Sequence, residues 1–249
     1  MALTTSLNAY YKFDESSGNA SDSVGSNTLT NNGTATYSAG KINNGTALAR
    51  ASTQYFSIAD TSAFDLSGDF SVSCWLKVAT APTSGQQFVI MGKDANGADN
   101  TRSYDLNYAN SGGTKRFELA IFPTGYSYPS YWAGAFNYDL GTATWVYVTV
   151  VVTIANGNST KAELYINGTS QGNFTLFDGT GATSVQNSTS AFQIGYESFQ
   201  GAFDGMIDEF GLWSRVLTST EVTQLYNGGA GLAYPFGESS SNSNFLMFM

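Results

Sequence analysis

Between Phe70 and Val78 every second side chain is apolar: Phe70, Val72, Cys74, Leu76 and Val78 fall on one side of an extended chain, with Ser71, Ser73, Trp75 and Lys77 on the other. A period of two is the signature of a strand, and the first set has to be core. From Trp145 to Ile154 the constraint is tighter still. Val146, Val148, Val150, Val152 and Ile154 share one face, and Trp145, Tyr147, Thr149, Val151 and Thr153 share the other, so the run is almost continuously apolar. Such a run reads as a central strand with both faces largely covered.

Shorter runs of the same kind recur at Leu7–Phe13, Tyr55–Ala59, Phe88–Gly92, Tyr104–Tyr108, Arg116–Phe122 and Ala162–Asn167, separated by Gly, Asn, Ser and Thr. That is the pattern of strands and tight turns. Asn167-Gly168 between two such runs predicts a hairpin from Ala162 to about Leu176. One stretch reads as helix. Thr218-Ser-Thr-Glu221 fits a capping box, Val222, Leu225 and Tyr226 form one stripe, and Asn227-Gly228 supplies a stop. The prediction is an all-β sandwich over residues 1–236 with one short C-terminal helix. Gly237–Asn244 then has the composition of a polar linker, and Phe245-Leu246-Met247-Phe248-Met249 is a wholly apolar terminus.

Composition narrows the chemistry. The chain has 249 residues, no histidine, one cysteine and a formal charge of −9, from 19 Asp+Glu against 10 Lys+Arg. All-β sandwiches of this length form one domain with a self-sufficient core. Without histidine, neither Ser-His-Asp chemistry nor Cys-His catalysis is available, and oxygen-ligated calcium or magnesium is the metal class that remains. The acidic balance and the lack of a basic cluster exclude phosphate-neutralising nucleic-acid binding. No 18-residue apolar stretch reads as a membrane helix. Met1–Asn8 leads into a strand pattern without the marks of a secretion signal.

The ordered motifs resemble the laminin G-like jelly rolls of the concanavalin A-like lectin/glucanase superfamily. They are Tyr10-Tyr-Lys-Phe-Asp-Glu15, Asp22-Ser-Val-Gly25, Phe70-Ser-Val-Ser-Cys-Trp-Leu-Lys77, Trp145 opening a valine-rich strand, Leu164-Tyr-Ile-Asn-Gly168, Gly205-Met-Ile-Asp-Glu209, and Trp213 leading to Tyr226. Tyr226-Asn-Gly-Gly-Ala-Gly-Leu-Ala-Tyr-Pro235 is similar to the endings of such domains in bacteriophage structural proteins. The resemblance implies a two-sheet antiparallel jelly-roll sandwich, frequent calcium binding near one edge, and recognition of carbohydrate or protein, mostly without catalysis. It implies a virion-surface or other extracellular setting.

Three groups of residues are candidates. Asp22, Asn27 and Asp208 hold one structural Ca²⁺ if the resemblance extends to its metal site; the alternative is that Asp22 and Asn27 are turn residues bonding their own backbone. Tyr126, Tyr128, Tyr131 and Trp132 lie in a Pro-containing stretch without strand periodicity, and such rings cover the C–H faces of sugars; the alternative is that they fill the core or a protein contact. Phe245, Leu246, Met247, Phe248 and Met249 form a docking peptide for another virion protein or a second copy of the chain, or else a frayed end. The expected function is non-catalytic recognition of a glycan, such as a cell-surface polysaccharide, or of a protein. A purely structural decoration role is the alternative. A glucanase is the distant third, because Asp208 and Glu209 are adjacent and no Glu precedes Asp208 at the spacing a retaining pair needs.

Overall fold

The computed structural model describes residues 2–95, 101–127, 130–154 and 161–237. With strands numbered in chain order, one eight-stranded sheet runs β13 (Thr169–Asn173), β12 (Lys161–Ile166), β11 (Val146–Thr153), β6 (Phe70–Val78), β18 (Gly205–Trp213), β4 (Asn44–Leu48) and β3 (Thr36–Ala39), with β1 (Leu7–Tyr11) also on β18. The second runs β14 (Thr175–Gly179), β10 (Trp132–Asn137), β9 (Thr114–Ile121), β8 (Arg102–Ser111), β7 (Gln87–Asp94), β15 (Phe192–Ile194), β5 (Tyr55–Ile58) and β2 (Thr30–Asn32). A small hairpin, β16 (Tyr196–Glu197) with β17 (Gly201–Ala202), lies beside β7. Every pairing is antiparallel.

Alternation decides what lies between the sheets. Phe70, Val72, Cys74, Leu76 and Val78 face Tyr104, Leu106, Tyr108, Phe117, Leu119 and Ile121 in one buried cluster. The other face of the first sheet is covered as well. Trp75, Tyr147, Val151, Tyr165 and Trp213 form a second cluster with Leu217, Val222, Leu225 and Phe236. The cover comes from α1 (Ser219–Tyr226), whose capping box is complete between Thr218 and Glu221, and from the segment that follows it. Ser71, Ser73 and Trp75 are therefore buried, although their strand alternates. At the Asn167-Gly168 turn both residues take positive φ, 51° and 77°, which the favoured two-residue hairpin turn requires. The hairpin is shorter than its sequence predicts: β13 ends at Asn173, and the chain crosses to the edge of the other sheet as β14.

In β18 the ladder to β6 shifts between Asp208 and Gly211, and Glu209 takes φ 49°. Before this bulge β18 pairs with β4; beyond it, with β1. The bulge re-aims the two acidic side chains.

Candidate functional site

The outer face of the second sheet carries the candidate site, a groove. In β8, Tyr104, Leu106 and Tyr108 point into the core, so strand periodicity sends Asp105 and Asn107 the opposite way. Cross-strand register then lays out a floor. Gly92 pairs with Asp105, Asp105 with Ala120, Ala120 with Ala133, and Ala133 with Asp178. The small residues keep this row low while taller groups stand around it. The result is a groove of about 370 Å³ whose lining includes Asp105, Asn107, Glu118, Tyr131, Phe177 and Phe199.

Each wall has its own cause. On one side, Phe122 stacks on Tyr131 with ring centroids 5.4 Å apart, Tyr126 meets both rings edge-on, and the Arg102 guanidinium lies 4.0 Å from the Phe122 centroid. The Tyr131 hydroxyl donates to Asp178. On the other side, both carboxylate oxygens of Glu197 accept bonds within its own turn: Oε2 takes the backbone N–H groups of Phe199 and Gln200, each at 3.0 Å, and Oε1 the Ser198 hydroxyl. This turn presents Phe199 to solvent, 69% exposed. Phe177 on β14 is 52% exposed beneath the Arg116 guanidinium, 5.0 Å from its ring centroid. Both exposed phenylalanines line the groove.

The polar groups on the floor are unevenly satisfied. Glu118 accepts from Arg116 at 2.6 Å and from Gln87 at 2.7 Å. Arg102 is paired with Asp94 at 2.8 Å. Asn107 donates its amide to Asp105 Oδ1 at 2.6 Å. Asp105 Oδ2, Asn107 Oδ1 and Gln200 Oε1 are buried without a hydrogen-bond partner, although Asp105 and Asn107 are only 2% and 1% exposed. Buried polar groups are nearly always bonded, so three acceptors left open in one groove stand out.

Burial, and after it the negative charge of Asp94, pushes the Asp105 carboxyl up to about 7; the Gln200 amide, Arg102 and the Asn107 amide work against the rise. At the β18 bulge, burial raises Asp208 to about 7 and Glu209 to about 8. In an unfolded chain such carboxyls titrate near about 4. Above that value the unfolded chain has released protons that the folded chain still holds. The stability these groups contribute is therefore complete below about pH 4 and is lost as pH rises through their folded values. Scanning calorimetry is expected to give a higher melting temperature near about pH 5.5 than near about pH 8.5. A protein that melts lower at the acidic value contradicts this assignment.

The structure distributes the sequence-derived candidates unequally. Tyr126 and Tyr131 line the groove, and Tyr128 lies outside the described residues. Trp132 is a correction: it opens strand β10, points between the sheets and is 1% exposed in the core. Asp22 is bonded to strand β1 and within its own turn, its oxygens accepting from the Tyr10 backbone N–H of β1, from the Val24 and Asn27 backbone N–H groups and, at 2.8 Å, from the Asn27 amide. Asp208 Oδ2 accepts instead from the Lys41 and Ile42 N–H groups of another turn, and its Oδ1 is buried without a partner. Among the described residues no group of three or more His, Cys, Asp or Glu is placed to hold a metal ion. Asn27 thus donates to Asp22 while its own Oδ1 accepts from the Thr61 hydroxyl, and Asp208 is bonded to a different turn. Glu209 Oε2 accepts from the Tyr10 hydroxyl, away from the Asp208 contacts, so the two adjacent carboxylates do not form a facing pair. Phe245–Met249 lie outside the described residues.

Asp105, Asn107, Phe177, Phe199 and Gln200 were not among the sequence candidates. The one available signal was Tyr-Asp-Leu-Asn-Tyr at 104–108, which puts two polar residues on the outer face of a strand.

Residues 50–223 match the family model described as concanavalin A-like lectin/glucanases superfamily, laminin G type. The chain belongs to this superfamily. No curated protein matches it. Among solved structures, this concanavalin A-like chain is similar to domain 4 of AbnA, a GH43 extracellular arabinanase from Geobacillus stearothermophilus, in complex with arabinotriose. There the identity is 24%, the TM-score 0.62, and the match covers 87% of this chain and 96% of that one. The binding domain of Paraclostridial Mosquitocidal Protein 1 matches at 14% identity and TM-score 0.65, over 91% of this chain and 53% of the other. The binding domain of botulinum neurotoxin DC in complex with SialylT matches at 12% identity and TM-score 0.63, over 90% and 52%. The concanavalin A-like chain spans about half the length of those two toxin domains.

Proposed function

We propose that this protein is a non-catalytic carbohydrate-recognition module that holds a glycan in the groove on the outer face of its second sheet. The observation that carries this reading is the placement of three unpartnered buried acceptors in a groove with two exposed phenylalanine rings. A sugar has the complementary surface: apolar C–H faces that cover a ring, and a rim of hydroxyls for fixed polar groups. The arabinotriose complex of a domain with the same fold supports the reading. A virion-surface location, on a capsid or tail, belongs to the same proposal and rests on the resemblance of residues 226–235 to bacteriophage structural proteins.

Isothermal titration of the protein with a panel of oligosaccharides tests the function. Saturable binding of at least one glycan, lost when Phe177 and Phe199 are both replaced by alanine, is the expected outcome. Failure of every glycan to bind would leave the assembly role of a decoration protein in its place.

A further inference from the structure

The groove's unpartnered atoms are all of one kind. Asp105 Oδ2, Asn107 Oδ1 and Gln200 Oε1 are acceptors. The orientation of the Asn107 amide is fixed, because its Nδ2 is spent on Asp105 Oδ1. The cations nearby are already committed: Arg102 to Asp94 at 2.8 Å, and Arg116 to Glu118 at 2.6 Å. Glu118 has both oxygens occupied, by Arg116 and Gln87. A ligand that completes this site has to arrive with donors and to bring no negative charge of its own. A buried acceptor left unmatched costs far more than one that is matched, so the mismatch acts as a filter.

We infer that the groove selects neutral, hydroxyl-rich glycans and rejects carboxylated ones, with Asp105 as the specificity-determining residue. This rests on the carbohydrate-recognition reading above. Hydroxyl protons of a neutral sugar fill the three acceptors while its apolar face lies on Phe199 or Phe177. A sialic or uronic acid carboxylate placed on the same floor would face Asp105 beside Glu118, and the arginine among the described lining residues, Arg102, is already paired with Asp94. Asp105 makes the largest difference because it is the acidic group on the floor that has neither a guanidinium partner nor full hydrogen bonding. Replacing it by asparagine keeps the shape, removes the charge and turns one acceptor into a donor.

The test is a competition series on the full chain. At about pH 8.5, above the value near 7 to which burial raises the Asp105 carboxyl so that it is ionised, neutral arabino-, gluco- and galacto-oligosaccharides are measured against oligogalacturonates and sialylated oligosaccharides, on the native protein and on Asp105→Asn, with Phe199→Ala to mark binding in the groove. The native protein is expected to bind neutral glycans at least tenfold tighter than carboxylated ones. Asp105→Asn is expected to lower neutral-glycan affinity about tenfold and to shift the ratio toward the carboxylated set, a change that a purely structural role for Asp105 would not produce. Preference for carboxylated glycans in a Phe199-dependent manner overturns the selectivity and leaves the glycan site standing, as does an Asp105→Asn protein with an unchanged ratio. Binding of neither set, or binding indifferent to Phe199 and Phe177, overturns the recognition reading itself and the selectivity with it.

Discussion

Replacing Phe199 by alanine is expected to weaken glycan binding about tenfold, and replacing Phe177 as well to bring it close to the limit of detection. An aromatic contact contributes about 0.5–1.5 kcal/mol beyond the area it covers, and each 1.4 kcal/mol is a tenfold change in affinity. Phe199 is 69% exposed and Phe177 52% exposed, so neither supports the core and the melting temperature of both variants should match that of the native protein. Phe199 is the cleaner probe. Its turn is held by Glu197 through backbone N–H groups, which survive the substitution, whereas removing Phe177 also uncovers the guanidinium of Arg116. Titration calorimetry beside thermal melting reads both quantities. A Phe199→Ala protein that binds as well as the native one removes that ring from the account.

The largest effect on stability is expected from Trp132→Ala, at about 3–5 kcal/mol. The indole is 1% exposed and packs over Gly134, where an added Cβ would come within 2.4 Å of the ring. At this chain length such a loss lowers the melting temperature by roughly ten degrees. Below the transition, glycan affinity should stay close to native, because Trp132 turns its ring to the core while Tyr131, one residue earlier, turns toward the groove. A variant that melts normally and loses binding would put Trp132 in the groove and reverse the assignment of the two faces of β10.

The strands were legible where alternation was strong. Phe70–Val78 is β6 to the residue, and the valine-rich run at 146–153 is an interior strand buried on both faces, as its composition requires. Thr218 and Glu221 announced the helix by their capping chemistry. The site was less legible, because it is assembled by cross-strand register. Asp105, Ala120, Ala133 and Asp178 form one row only when four strands are paired in the observed order, and pairing order leaves no mark in a local window. Phe199 and Gln200 arrive from a hairpin more than 90 residues downstream of Asp105, so nothing near either position announces the other. In the aromatic loop, residue type was informative and direction was not. Tyr131 and Trp132 are both amphipathic aromatics, and the single step between them at the start of β10 sends one ring to the groove and the other to the core.

The most direct measurement is NMR mapping of the ¹³C- and ¹⁵N-labelled protein during titration with an oligosaccharide that binds. Shift changes centred on Asp105, Asn107, Phe177, Phe199 and Gln200, with intermolecular contacts from sugar C–H groups to the phenylalanine rings, are the predicted result. Changes centred on the turns at 22–27 or 40–44, with the outer face of β8 undisturbed, would contradict it.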